Sequence, residues 1–403
     1  MHRVVVTGTG VVSALGSGTQ EFRKRLAAGV PAIGEIASID SSQIRFKHAA
    51  EIRTYSPDEH FEPREIATMD RFAQFAVLAA REAVADAGVE WTPELREGTA
   101  VITGSCLGGR SVEETGYYEL FHNGRSRVHP LTIPLSMSNA GASHICMQFG
   151  VEGPAYTIST ACASSTHAIG QAFWMVRSGA APMAITGGSE APFFLGSLKA
   201  WEAMRVISKD TCRPFSAERS GLVLGEGAAM LVLEPLEAAL ARGARPLAEV
   251  VGFGMSADAC HITQPMATGA MRAMKSALRD AHLAPEQIGY INAHGTATEV
   301  NDRIESAAIR CTFGAHADRL AISSTKSMHG HALGAAGAIE AVASVLTLKY
   351  GLLPPTASFL TPDPACDLDV IPNHAREAQV EACLSNSFAF GGLNGVLAFK
   401  ASP

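Results

Sequence analysis

Short apolar runs closed by glycine or by a turn alternate with helix-length stretches along most of this chain, and that alternation restricts the fold more than any other feature. It predicts an α/β protein whose sheets are covered on both faces. The series opens at Val4 to Val6. Residues 69–88 form a clear helix: Phe72, Phe75, Ala76, Ala79 and Ala83 recur at helical spacing, and Asp86 and Gly88 close it. A strand at 101–103, a helix at 164–177, a strand at 183–186 with a glycine turn at Gly187 and Gly188, and a strand at 227–233 follow. Pro235 stands where a helix tolerates proline, at its start.

The composition turns polar at Arg242 to Pro246, which sets the boundary between halves at 1–245 and 246–403. The second half repeats the logic, with strands at 248–253, 288–292, 320–323, 382–388 and 395–399. Its helices fall at 270–281, 302–312 and 333–348. Each half opens with a strand running into a Gly-x-Gly turn, VVVTGTG at 4–10 and VVGFG at 250–254, a hint of internal duplication.

With 47% hydrophobic and 18% charged residues among 403, the chain has enough apolar surface to bury a large core, so disorder is excluded. The net charge of −7 and the lack of a Lys/Arg run argue against nucleic acid as a partner. The apolar start is broken by Thr7, Gly8 and Gly10, and no run of ~18 uncharged apolar residues follows, so neither a signal peptide nor a membrane span is expected. The expected location is the cytoplasm. Eight cysteines without a CxxC pair suit a reducing compartment, where most are small buried residues. GTGVVS at 8–13 nearly matches a dinucleotide fingerprint, but Ser13 replaces the last glycine and no acidic residue follows at the right distance.

Four segments carry chemistry. TISTACASST at 157–166 sets Cys162 at a strand-to-helix turn, where free helix N–H groups favour thiolate, although an inert buried cysteine fits the same residues. His294, in INAHGTATEVND, follows a strand inside a Gly/Thr turn, as a positioned imidazole or as a cap of that turn. SSTKSMHGHALGAAGAIEA at 323–341 places Lys326, His329, His331 and Glu340 among small residues, so Lys326 and Glu340 must pair with each other or with a site group. His329 and His331 lack a complementary ligand at short spacing, which disfavours a metal. In SNSFAFGGLNGVLAF the pair Gly391 and Gly392 lets a backbone N–H face a developing oxyanion, or simply ends a strand. A cysteine, two histidines, a lysine and a donor loop form an inventory for thioester chemistry.

These segments, together with RPFSAERSGLVLGEGAAMLVLE at 213–234 and GMSADACHIT, resemble in order the elongating β-ketoacyl-acyl-carrier-protein synthases of type I/II. The resemblance implies a thiolase-like fold of duplicated βα halves in five αβαβα layers, and a homodimer or a heterodimer with a homologous subunit. It implies that Cys162 accepts an acyl chain from a carrier thioester while His294 and His331 assist decarboxylation of a malonyl thioester. It implies an oxyanion hole from the N–H groups of Cys162 and Phe390, with Phe390 also gating access, and a Lys326–Glu340 pair that orients His331. Thr296 and Thr298 would hold the phosphopantetheine arm, Leu107 and Trp201 would line the acyl tunnel, and Arg125, Arg127 and Arg205 would dock an acidic acyl carrier protein. No cofactor and no metal are implied beyond the carrier's own phosphopantetheine.

Departures from the family pattern point to a specialised synthase. AFGGLN replaces the usual GFGGTN, Glu299 stands where proline is frequent, Trp201 where phenylalanine is usual, and REIATMDR at 64–71 is less basic than usual. Fatty acid and polyene or polyketide assembly both stay open. So do an active subunit paired with an inactive chain-length-determining partner and a non-elongating thiolase-like acyltransferase. A degradative thiolase would need a second cysteine, for which Cys383 is the late candidate, and a cysteine hydrolase would need water at the acyl-enzyme.

Overall fold

The computed structural model describes residues 1–402. Its principal strands are β1 (Val4–Ser13), β2 (Ala100–Gly104), β3 (Ala155–Ile158), β4 (Ala184–Glu190) and β5 (Gly227–Pro235), then β6 (Ala248–Ala257), β7 (Ile288–Asn292), β8 (Ala321–Ser323), β9 (Ala382–Ala389) and β10 (Leu393–Ala401). The principal helices are α1 (Arg71–Ala87), α2 (Ala140–Phe149), α3 (Ser164–Ser178), α4 (Ala267–Ala281), α5 (Glu299–Phe313) and α6 (Ala336–Tyr350).

Strand order runs β3-β2-β4-β5-β1 in the first half and β8-β7-β9-β10-β6 in the second, so the two follow one topology. Directions agree as well. β2 is parallel to β3 and β4, and β7 to β8 and β9, while β4–β5, β5–β1, β9–β10 and β10–β6 are antiparallel. A short antiparallel seam, Val4↔Val250 to Val6↔Ala248, joins the two sheets. Helices α3 and α6 lie between the sheets, α1 and α2 cover the outer face of the first, and α4 and α5 cover that of the second. These are the five layers of a thiolase-like α/β fold.

A helix packed on both sides has no polar face to keep, and α6 shows it: Ala336 to Leu348 are all buried, Glu340 included. Its apolar stretch Leu333–Tyr350 is long enough to cross a membrane by composition, yet 89% of it is buried inside the protein. The first turn of the helix expected at 333–348 is a 3₁₀ segment, Leu333–Ala335.

The Gly-x-Gly segments are not turns. β1 runs through Gly8 and Gly10, paired with Val232 and Met230, and β6 runs through Gly252 and Gly254, paired with Ala398 and Val396. Glycine serves here to admit a helix. A Cβ on Gly8 or Gly10 would strike the carbonyls of Ala83 and Ala79 in α1, and one on Gly252 or Gly254 would strike those of Ala277 and Ala273 in α4. The helices answer alike, since Asp86 accepts from Thr9 N (2.9 Å) and Asp280 from Phe253 N (2.9 Å). Gly187 and Gly188 likewise lie inside β4, held by partners on both sides. Strand pairing overrides glycine's turn preference wherever both neighbours are in place. Gly88 closes α1 as expected, with φ 59°, and Asp70 caps its start by accepting from Phe72 N (3.1 Å).

Candidate active site

Cys162 sits between the end of β3 and the start of α3, next to Ala161, whose φ of 49° forces the sharp bend. Ser164 Oγ stitches that bend by accepting from Thr160 N (2.9 Å) and donating to Ala161 O (2.6 Å). The backbone N–H groups of Phe390 and of Cys162 itself favour charge on the Cys162 sulfur, and His331 Nε2 lies 3.1 Å from it. Burial pushes the thiol up to about 11, against the pull of the Lys326 charge and the two N–H groups. The expected preformed thiolate is therefore corrected: desolvation outweighs the helix end, and the resting side chain is a thiol.

His294 follows β7, and Glu305 holds the turn by accepting from His294 N (2.9 Å) and Gly295 N (2.8 Å). Lys326 Nζ lies 3.3 Å from His294 Nδ1 and pairs with Glu340, both fully buried. The resemblance implies that this pair orients His331; the structure sets it against His294 instead, with Lys326 carried on the short helix Lys326–His329. His331 Nδ1 instead accepts from Leu333 N (3.1 Å). Each Nδ1 thus receives a donor, which assigns the proton to Nε2 on both rings. Burial first, then the nearby Lys326 charge, holds both imidazoles well below the usual histidine range, so they are neutral.

The result is two perpendicular imidazoles, centroids 5.4 Å apart, whose ligand atoms lie with the Cys162 sulfur within 4.8 Å of one another. Residue types of this kind can hold a soft metal. Protonated Nε2 positions beside a buried ammonium suit a negatively charged oxygen better. His329 bonds Thr325 Oγ1 (3.0 Å) and packs near Phe22. Asn292 Oδ1, Ser385 Oγ, Asn386 Oδ1 and Glu340 Oε2 are buried with no hydrogen-bond partner among the described residues, as atoms that ordered water would satisfy. Cys383 is fully buried in β9, so it is not the second active-site cysteine that a degradative thiolase requires.

A cavity of about 620 Å³ opens onto Cys162, His294 and His331. Thr296 and Thr298 line it, their hydroxyls 2.9 Å apart, and Arg205, Arg219 and Ser220 line it too. Trp201 also lines it and stacks on Phe390 with centroids 6.1 Å apart. Leu107 does not line this cavity; like Trp201, it packs against the apolar cluster around Leu198 and Leu333. Arg125 and Arg127 line a separate surface cleft, where Arg125 pairs with Glu119 (3.3 Å). Of the three arginines, the fold brings only Arg205 to this cavity.

The Phe390 loop is braced by residues to which sequence reasoning assigned no role. Gly391 N donates to Ile262 O (2.7 Å), Asp258 N to Gly392 O (2.9 Å), and Asn394 Nδ2 to Asp258 Oδ1 (2.8 Å). Thr263, Gln264 and Pro265 of the same segment reach the cavity. The signal lay in the second part of GMSADACHIT, where Asp258 and the residues after it follow the end of β6.

A thiolase-like fold with a buried cysteine, two neutral imidazoles and convergent N–H donors defines the condensing, carbon–carbon bond-forming class of acyltransferases. Comparison narrows the class. Residues 1–239 match the family model "Beta-ketoacyl synthase, N-terminal domain" and residues 247–360 match "Beta-ketoacyl synthase, C-terminal domain". Nodulation protein E of Rhizobium sp. (strain N33) is 46% identical over 399 residues, 99% of each chain. 3-Oxoacyl-[acyl-carrier-protein] synthase 2 of Staphylococcus aureus (strain COL) is 42% identical over 405 residues, covering 99% of this chain and 98% of that one. Among solved structures, the ishigamide ketosynthase/chain length factor superposes with a TM-score of 0.94 at 37% identity over the full length of both chains. The chain belongs to the β-ketoacyl synthase family, and its reaction is ketosynthase condensation in fatty acid or polyketide synthesis.

Proposed function

We propose that Cys162 carries the acyl chain and that His294 and His331 drive decarboxylation of a malonyl-carrier thioester. In the first half-reaction the Cys162 sulfur bonds the acyl carbonyl carbon and the carrier's C–S bond breaks. The thiol proton leaves with the phosphopantetheine sulfur. The N–H groups of Cys162 and Phe390 hold the transient oxyanion. In the second, the malonyl thioester oxygen receives the Nε2–H of His294 and of His331, the bond to the carboxylate breaks, and carbon dioxide departs. The enolate carbon attacks acyl-Cys162, and collapse of the adduct releases β-ketoacyl carrier and the Cys162 thiolate, which then takes up a proton.

One observation carries this reading: two neutral imidazoles, each with its proton directed to Nε2, share one space with the thiol. A donor already in place needs no reorganisation when charge develops, so the enolate is stabilised rather than merely accommodated. Thr296 and Thr298 would hold the phosphopantetheine arm, Trp201 would line the acyl pocket, Phe390 would form the gate, and Arg205 would meet the acidic carrier at the mouth. No further cofactor is invoked, and the expected location is the cytoplasm.

The test is intact-protein mass spectrometry after exposure to acyl-loaded carriers. An acyl adduct is expected on Cys162; Cys162→Ala should lose the adduct and condensation by on the order of 10³-fold or more, yet still decarboxylate malonyl carrier. Condensation by that variant at the native rate would remove the nucleophile from the scheme.

Pairing with a homologous subunit is favoured by a specific feature. β3 lies at the end of the sheet with Ala155 and Tyr156 exposed, and the same half exposes Tyr117, Tyr118, Phe121, Ile133 and Met137. The name of the ishigamide relative couples a ketosynthase with a chain length factor. Weighing the purified chain in native buffer tests this: an active homodimer supports self-pairing, and an inactive monomer rescued by a homologue supports the heterodimer.

A further inference from the structure

Glu190, the last residue of β4, is fully buried, and its carboxylate gathers donors from two separate loops. Oε1 accepts from Ser105 Oγ (3.0 Å) and Leu107 N (3.0 Å). Oε2 accepts from Cys106 N (2.9 Å), Cys106 Sγ (3.0 Å) and Gly334 N (3.0 Å). The Gly334 side of this clamp admits no side chain: a Cβ there would lie 2.5 Å from Glu190 Oε2 and 2.7 Å from Cys106 N.

Gly334 leads straight to the chemistry. Its neighbour Leu333 has a φ of 47°, a conformation a branched side chain adopts only when its surroundings impose it. In that conformation Leu333 N points at His331 Nδ1, 3.1 Å away, and so leaves the proton on Nε2, 3.1 Å from the Cys162 sulfur. The other arm ends at Leu107, which packs against the same apolar cluster as Trp201 of the cavity wall.

We propose that Glu190 is a positioning residue that couples the two substrates' sites: one oxygen holds the His331 tautomer through Gly334 and Leu333, and the other holds the acyl-side wall through Leu107. This rests on the roles given above to His331 and Cys162. A carboxylate is the one side chain of this size with acceptor capacity on both ends and no donor of its own, so a carboxamide cannot replace it without turning an N–H₂ against a backbone N–H.

The isosteric change separates the arms. In Glu190→Gln the amide nitrogen should face the Leu107 arm, where one backbone N–H opposes it and Ser105 Oγ can turn to accept; the other arm would oppose it with two. Full-length enzyme is assayed for malonyl-carrier decarboxylation, for acyl adducts on Cys162 from an equimolar mixture of short and long acyl carriers, and for the ¹⁵N shifts of the His331 ring. Glu190→Ala should lower decarboxylation kcat about tenfold with KM little changed, erase the single Nε2-protonated signature and broaden acyl preference. Glu190→Gln should broaden acyl preference as much, keep that signature, and lower kcat only about twofold. Should Glu190→Ala not fold, Gly334→Ala breaks the His331 arm from the other side and should lower kcat and erase the signature, and because its methyl also presses on Cys106 N it should broaden acyl preference as well.

Wild-type kcat and ¹⁵N signature in a folded Glu190→Ala or Gly334→Ala variant overturns the coupling, as does a Glu190→Gln variant that loses decarboxylation as severely as the alanine. Failure of the wild-type enzyme either to acylate Cys162 or to decarboxylate malonyl carrier would instead defeat the functional reading itself.

Discussion

The two halves share strand order, strand direction and even the glycine seats for their outer helices, yet their loops do different work. The loop before the central helix carries Cys162 in the first half and His331 in the second. The loop after the second strand carries Ser105 to Leu107 in one and His294 to Thr298 in the other; the fourth strand ends at Glu190 in one and at Ala389, beside Phe390, in the other. A duplicated scaffold has brought its equivalent loop ends to one place, and the site is assembled from their divergence. Cys162 and Trp201 come from the first half, while the two imidazoles and Phe390 come from the second.

Buried carboxylates show the same divergence in energetic form. Glu340 in the second half is matched by a cation, Lys326, whereas Glu190 in the first is satisfied by backbone and small side-chain donors. Breaking the ionic arrangement has the largest expected effect on stability. Lys326→Met strands a buried carboxyl and should cost about 3–5 kcal/mol in urea unfolding, with much of the loss recovered in Lys326→Met/Glu340→Leu. Equal loss in the double variant would mean that packing, not charge, is what the pair supplies.

Next in size are the histidines, which come from different loops of one half but reach the same space beside Cys162. His294→Ala and His331→Ala should each lower malonyl decarboxylation about 10²-fold in single-turnover assays after Cys162 has been loaded. A variant that decarboxylates normally would take its imidazole out of the shared site.

The structural likeness of the halves is tested by Gly10→Ala and Gly254→Ala, which press a methyl against the carbonyls of Ala79 and Ala273. Each should lose about 1–3 kcal/mol by thermal or urea denaturation. Tolerance at one position alone would reduce the repeat to topology without shared packing.

The smallest effect concerns the thiol. Because burial pushes Cys162 up to about 11, its thiolate fraction is small near neutrality. Its alkylation by iodoacetamide, followed by peptide mapping, should rise about tenfold per pH unit from about pH 7 to about pH 10 without levelling. A plateau near neutral pH would show that the helix end outweighs desolvation after all.

Much of this was legible without coordinates. Residues 69–88 carry their own periodicity and terminal glycine, and the strand at 288–292 its own apolar run, so both are found where they were expected. The glycine pairs were misread as turns because a turn and a close helix contact ask the same thing of a residue, the lack of a Cβ, and only the neighbouring strands tell them apart. Among site residues, Lys326 and Glu340 were paired correctly because an ion pair among alanines has few alternatives. Their partner histidine was misassigned because both imidazoles lie near in sequence or in space, and hydrogen-bond direction is a property of the folded backbone.

By itself the amino-acid order determined the alternation of elements, the division into two halves and the residue types able to handle a thioester. These follow from periodicity, local backbone preference and intrinsic reactivity. Tertiary structure decided which imidazole faces Lys326, that the thiol rests protonated, and that Glu190 ties two loops together, because each depends on distance and desolvation between segments far apart in the chain.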